Sequence, residues 1–265
     1  MATLSAQGIS IHYELLGDPS KPPVLLISGL GGSGVSWGSQ AQRFATDYFV
    51  IVPDQRGTGK TTQAEDGYSI AQLARDMASL LEHLQTGPAH LVGSSTGGAI
   101  AQVLAIDHPQ WVRSVTMSSS FARADAYMKM EFALRRKLMA ESDMETVHSC
   151  NALFLFLPEF VSQNADAISA WVKNAASHPT DREIAVKRID MIMAHDVVSQ
   201  LGRIQQPSLV VCGDHDNCTP LYLSQEITSR IPNAKLVILS GGGHFIHQEQ
   251  PEKYYEAVRT FIDQH

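Results

Sequence analysis

The sequence predicts an α/β protein in which a mostly parallel, doubly wound sheet is interrupted by an inserted helical cap. Three observations carry that expectation. Short apolar runs ending in turn residues alternate with stretches of helical spacing. The alternation stops between residues 121 and 204 and then resumes. The chain has 265 residues, enough for one large domain with a substantial core.

The elements read in order as follows. Residues 9–15 alternate and predict an edge strand. Residues 24–28 (VLLIS) and 49–54 (FVIVPD) predict buried strands, with a helical stretch around residues 40–44 between them. Residues 68–84 carry Ile70, Leu73, Met77, Leu80, Leu81 and Leu84 at helical spacing. A strand over 89–93, a helix over 97–108 and a strand over 112–118 follow. From Phe121 to about Arg203 the pattern is helical and rich in methionine and long apolar side chains, among them Met128, Phe132, Met139 and Trp171. These read chiefly as helical core, with some available to line a pocket where flexible methionine adapts to a ligand. Strands over 208–212 and 234–239 then alternate with helices over 221–231 and 251–262. The expected division is residues 1–120 and 205–265 for the core and 121–204 for the cap.

Composition excludes several classes. Twenty basic against 27 acidic residues give a net charge of -7, which suits neither a nucleic-acid backbone nor an anionic surface. No apolar run approaches the ~18–20 residues that span a bilayer, so no membrane partner is expected. The start, MATLSAQGISIHYE, lacks a basic segment followed by an apolar one, so no secretory signal is expected. The three cysteines, Cys150, Cys212 and Cys218, are too few and too odd in number for a disulfide framework. They predict a reducing, cytoplasmic setting.

Three glycine motifs compete for the function. Gly29, Gly31 and Gly34 match G-x-G-x-x-G after a strand, and Asp54 ends the next strand, as a dinucleotide site would require. A strand ahead of the motif, and C-terminal motifs left without a purpose, weigh against an NAD-binding oxidoreductase. Gly57-Thr58-Gly59-Lys60-Thr61 resembles the end of a P-loop, but Asp54 stands where its first glycine belongs, facing the phosphate. Gly93-Ser94-Ser95-Thr96-Gly97 matches G-x-S-x-G between a strand and a helix. A serine there sits on a strained turn with its hydroxyl exposed above the sheet, and its neighbours two residues away must be small.

A serine hydroxyl needs an adjacent base. Two loops at carboxyl ends of later strands supply candidates, Gly213 to Pro220 (GDHDNCTP) and Ser240 to Phe245 (SGGGHF). At this point the chain resembles the α/β-hydrolase superfamily over essentially its whole length. The stretches LISGLGGSGVSW (26–37), DQRGTG (54–59) and YSIAQ (68–72) resemble the enol-lactonase and aminoacrylate-hydrolase branch in particular. The resemblance implies an α/β-hydrolase fold with Ser95 as nucleophile, His244 as base and Asp216, four residues before Pro220, as the orienting acid. It also implies an oxyanion hole built from the backbone N–H groups of Leu30 and Thr96, with no cofactor and no metal. The oxyanion loop begins Ser28-Gly29 where the superfamily usually has His-Gly; a backbone donor survives that change.

Other residues compete with these. Asp214, nearer the strand end, is expected to turn inward, and His247 to be a surface histidine. His215, between two aspartates, fits no common zinc spacing. His12, His90 and His195 read as structural. Trp37 is a candidate apolar wall. Arg123, after the sixth strand, is a candidate clamp for a substrate carboxylate, with a cap salt bridge to a residue such as Asp125 as the alternative. Arg135 and Arg136 are weaker candidates.

The expected activity is hydrolysis of a small-molecule carboxylic ester or lactone, including a carboxylate-bearing one such as an enol-lactone. Serine rather than a carboxylate at the bend favours acyl transfer over halide displacement or epoxide opening. Cleavage of a C–C bond in a β-diketone-type substrate stays open, since the same triad serves it. So do a non-hydrolytic ligand receptor and the NAD-binding reading. The partner is a small molecule, and the protein itself is a monomer or homo-oligomer.

Overall fold

A computed structural model describes residues 2–265. In chain order the elements are β1 (Ala2–Ala6), β2 (Ile9–Leu16), β3 (Pro23–Ile27), α1 (Gly38–Phe44), β4 (Phe49–Pro53), α2 (Ile70–Leu84), β5 (Ala89–Ser94), α3 (Thr96–Asp107), β6 (Val112–Ser118), α4 (Ala126–Glu141), α5 (Met144–Leu155), α6 (Pro158–Gln163), α7 (Ala165–Ser177), α8 (Arg182–Met193), β7 (Ser208–Gly213), α9 (Leu221–Arg230), β8 (Ala234–Leu239), α10 (Ile246–Glu249) and α11 (Pro251–Ile262). The strands form one sheet in the order β1-β2-β4-β3-β5-β6-β7-β8. The β1–β2 and β2–β4 pairs are antiparallel and the rest are parallel.

One expectation at the start of the chain is corrected. The edge strand is β1, and β2 lies inside the sheet between β1 and β4. The two are joined through Gln7 and Gly8, whose φ values of 52° and 75° meet the type I′ requirement for a tight hairpin. Gln-Gly is a weak version of the Asn-Gly signal, so the sequence hid the turn.

The sheet buries both faces. One face packs α2, α3 and α9 over Leu25, Ile27, Leu91 and Val115; the other packs α1 and α11 over Leu26, Val50, Val92 and Val211. Alternate residues of one strand thus feed two cores, which is why the parallel strands read as continuous apolar runs. Ser69 caps α2 by accepting from Gln72 N at 3.1 Å, and Gln85 ends it in the left-handed conformation. α3 is buried from Thr96 to Ile106, because Gly97, Gly98, Ala99 and Ala101 let it lie close to the strands.

Between β6 and β7 the chain makes α4 to α8. Asp125, Asp143 and Asp181 cap α4, α5 and α8, each side chain accepting from a backbone N–H three residues on. α4 packs on α8 and α5 on α7, while Met128, Phe132, Ile189 and Ile192 join the main core. Among the described residues no helix is long and apolar enough to cross a membrane.

Candidate active site

Ser95 sits between β5 and α3 with φ 54° and ψ -118°, a conformation side-chain-bearing residues rarely adopt. Close packing holds it there. A Cβ at Gly93 would lie 2.3 Å from Gly97 O, one at Gly97 would lie 2.0 Å from Ile27 O, and one at Gly98 would lie 2.5 Å from Ser120 Oγ. Hydrogen bonds complete the restraint. Ser95 N–H donates to Ser118 O at 2.8 Å, and Ser95 O accepts from Gly98 N at 2.9 Å and from Ser120 Oγ at 2.8 Å. Ser118 and Ser120 are thus supports of the bend, a role invisible in a run of three serines.

The loops after β7 and β8 bring Asp216 and His244 together. They touch backbone to backbone, since a Cβ at Gly213 would lie 2.0 Å from Gly242 O. His244 Nδ1 lies 2.9 Å and 3.0 Å from the two carboxylate oxygens of Asp216. Asp216 also accepts from Cys218 N, Thr219 N and Thr219 Oγ1 at 2.8–2.9 Å. Burial disfavours the imidazolium of His244, but the Asp216 carboxylate, with Cys218 beside it, outweighs burial and holds its pKa well above the usual value. With Nδ1 engaged, Nε2 is the nitrogen left to exchange a proton. Glu249, of the Glu-x-Pro run, accepts from Gly243 N at 2.6 Å and steadies the histidine loop.

Ser95 and His244 line one cavity of about 450 Å³, beneath the helices between β6 and β7. Trp37, Phe132, Trp171 and Arg188 form parts of its wall. Leu30 also lines it, and Gly29 approaches Ser95 so closely that a Cβ there would lie 3.4 Å from the serine Cβ. Thr96 N–H, first in its helix, has no intrahelical acceptor. A hydroxyl on a sharp bend, an imidazole oriented by a carboxylate and two nearby backbone N–H groups can together perform acyl transfer.

Several expectations are corrected. Arg123 is not in the cavity wall; it is half-exposed and pairs with Glu226 at 2.9 Å, in a segment whose backbone bridges to Asp196. Asp125, the partner expected for it, caps α4 and accepts from Tyr222 OH instead. Asp214 does not turn inward; it binds His215, Ser240 Oγ and Gly241 N at the loop surface. His247 is buried against Trp37 and Tyr254, and burial lowers its pKa to about 4. Arg136 pairs with Asp190 at the surface, whereas Arg135 reaches the cavity wall but is tied to Glu131 at 3.0 Å. Trp37, 2% exposed, does form part of the wall.

Asp54, the acid of the rival nucleotide motif, is already spent. It accepts from Ser33 Oγ, Gly34 N and Lys60 N at 2.8–2.9 Å and lies 3.0 Å from His12 Nδ1. The Gly29–Gly34 segment leads into a short 3₁₀ turn rather than a long helix. Among the described residues no group of three or more His, Cys, Asp or Glu side chains could hold a metal ion.

Residues 22–251 match the model of the alpha/beta hydrolase fold family. The chain belongs to this family. It is 30% identical over 256 residues to the proposed carbamate hydrolase RutD of Caulobacter vibrioides (strain NA1000 / CB15N), covering 96% of this chain and 95% of the relative. Among solved structures it resembles the enol-lactonase of Burkholderia xenovorans LB400, with a TM-score of 0.90 and 23% identity over 99% of this chain and 100% of that one. It also resembles Est816, described as an N-acyl homoserine lactone degrading enzyme, with a TM-score of 0.84 and 27% identity over 98% and 100%. The protein is therefore a hydrolase of this fold, similar over nearly its whole length to RutD.

Proposed function

We propose that the protein is a serine hydrolase that cleaves a small carboxylic ester or lactone through an acyl-enzyme. Ser95 attacks the carbonyl carbon, and its proton passes to Nε2 of His244. Asp216 keeps the imidazole in the tautomer that accepts that proton and stabilises the imidazolium. The backbone N–H groups of Leu30 and Thr96 receive the oxyanion. Collapse of the tetrahedral intermediate expels the alcohol, protonated by His244, and water then releases the acid by the same steps in reverse.

The observation that carries this reading is the strained Ser95 opening onto the same cavity as a histidine whose Nδ1 is bound by a buried carboxylate. The likeness to RutD over 96% of the chain supports a second reading, in which the carbonyl is that of a carbamate. The acyl-transfer machinery is the same; the group carried by Ser95 would be a carbamoyl in place of a carboxylic acyl group. A panel of small esters, lactones and carbamates, with product analysis for wild type and Ser95→Ala, separates the two. Turnover of an ester or lactone that disappears in Ser95→Ala, with a transient adduct of acyl mass on the wild-type protein, is the expected result. Full turnover by Ser95→Ala would refute the covalent mechanism.

A further inference from the structure

Arg188 is the unusual cation of this protein. It lies on α8, is 3% exposed, and makes no ion pair with any described carboxylate. Burying a guanidinium without a counter-ion is costly, and such placements are retained where the charge or its fork has a use. Burial lowers its pKa to about 10, which leaves it charged at neutral pH.

Its hydrogen bonds converge on one loop. Nε and Nη2 both donate to Leu30 O, at 3.0 Å and 2.9 Å. Nη2 also donates to Gln55 Oε1 at 2.6 Å, and Nη1 to Arg56 O at 3.0 Å. Gln55 in turn donates through Nε2 to Ser28 O at 2.6 Å. Gly29 O, which shares a peptide plane with Leu30 N–H, accepts from Gly32 N at 3.0 Å. Three consecutive carbonyls, those of Ser28, Gly29 and Leu30, are therefore tied, two of them through Arg188. Gly32 makes room for the guanidinium: its φ is 71°, and a Cβ there would lie 2.6 Å from Nη2.

We propose that Arg188 is a positioning residue that holds the glycine-rich loop so that Leu30 N–H points at the developing oxyanion. The proposal rests on the acyl-transfer reading above. A Leu-Gly-Gly-Ser-Gly loop has little rigidity of its own, and the forked guanidinium supplies it. Seating α8 on this loop and aligning the oxyanion donor then become one event. Arg188 acts through the loop and not by gripping substrate.

Arg188→Met and Arg188→Lys test it, read by steady-state kinetics on a neutral ester and by the rate at which a small neutral fluorophosphonate labels Ser95. In both variants kcat and the labelling rate are expected to fall together by about 10²-fold, the scale of a lost oxyanion donor, with KM changed by less than about threefold. Lysine keeps the charge but not the fork, so it should not restore the rate. A raised KM with an unchanged labelling rate would assign Arg188 to substrate binding and overturn the proposal; so would labelling and kcat within about twofold of wild type. Should both variants fail to fold, Gln55→Leu decides. It leaves Arg188 on Leu30 O and breaks the relay to Ser28 O, with an expected loss of about tenfold in labelling rate in a protein that loses about 1–3 kcal/mol of stability and stays folded at the assay temperature. A wild-type labelling rate in that variant would also overturn it. An unlabelled wild-type protein would instead remove the acyl-transfer reading, and this proposal with it.

Discussion

Two glycine-rich segments face each other across the candidate site, and they are immobilised in opposite ways. Around Ser95 the glycines are required by contact: backbone lies where a Cβ at Gly93 or Gly97 would have to be. In the Gly29–Gly34 loop a Cβ at Gly32 or Gly34 would lie 2.6 Å from a side-chain atom, of Arg188 or Val52, rather than from backbone, and one at Gly31 would meet nothing within 4 Å. That loop is held from outside, by Asp54, Gln55 and Arg188. The bend is therefore part of the core and shares its stability, whereas the loop depends on a few polar anchors. Substitutions at the bend should act on the fold, and substitutions at the loop anchors on the rate.

The largest effect sharpens the contrast by removing chemistry without touching either segment's packing. Ser95→Ala should lower kcat by about 10⁴-fold or more while leaving the melting temperature nearly unchanged. Next comes Gly97→Ala. Its methyl would fall 2.0 Å from Ile27 O, so the cost should exceed the ~1–3 kcal/mol of ordinary overpacking, seen as loss of soluble protein or a lowered denaturation midpoint. Normal stability in that variant would break the comparison.

Acid instead probes the packed core that the bend shares. Burial is the main cause that lowers His90 on β5, His195 and His247 to about 4, so all three are neutral in the fold and take up protons only on unfolding. The unfolded chain, with histidines near 6.5, binds more protons across this interval. Stability should therefore fall as pH drops from about 6.5 to 4, with a slope approaching three protons in urea titrations. His244, raised in the fold, contributes in the opposite direction only above 6.5: its share is present below that pH and is lost as pH rises through its folded value.

Asp54→Asn weakens a loop anchor. It should cost about 1–3 kcal/mol from the hydrogen bonds to Gly34 N, Lys60 N and Ser33 Oγ, and slow turnover with little change in KM. The smallest effect is expected at Gly31→Ala, where stability should stay level or rise by up to about 1 kcal/mol as the unfolded chain loses freedom. A large loss there would mean that the loop, too, is held by packing.

Much of the architecture was legible because its signals are local. The β6 strand over 112–118 and the α11 helix over 251–262 follow from apolar runs and spacing alone. Ser95, Asp216 and His244 could be singled out because each stands in a short motif at the end of a strand, and the fold brings Asp216 against His244. The misreadings share a cause in long-range packing. His247 has no local mark of burial; it is covered by Trp37, over two hundred residues away. A salt bridge of Arg123 was open to the sequence but its partner was not, because Glu226 comes about a hundred residues later. Arg188 is one arginine in an amphipathic helix, and only the fold brings it to Leu30 O, 158 positions earlier.

The most direct measurement is reaction of the wild-type protein with a fluorophosphonate probe, followed by peptide mass mapping of the labelled side chain. A single adduct on Ser95, absent after Asp216→Ala or His244→Ala, is the predicted result. No adduct, or one on another residue while Ser95 stays unmodified, would contradict the account.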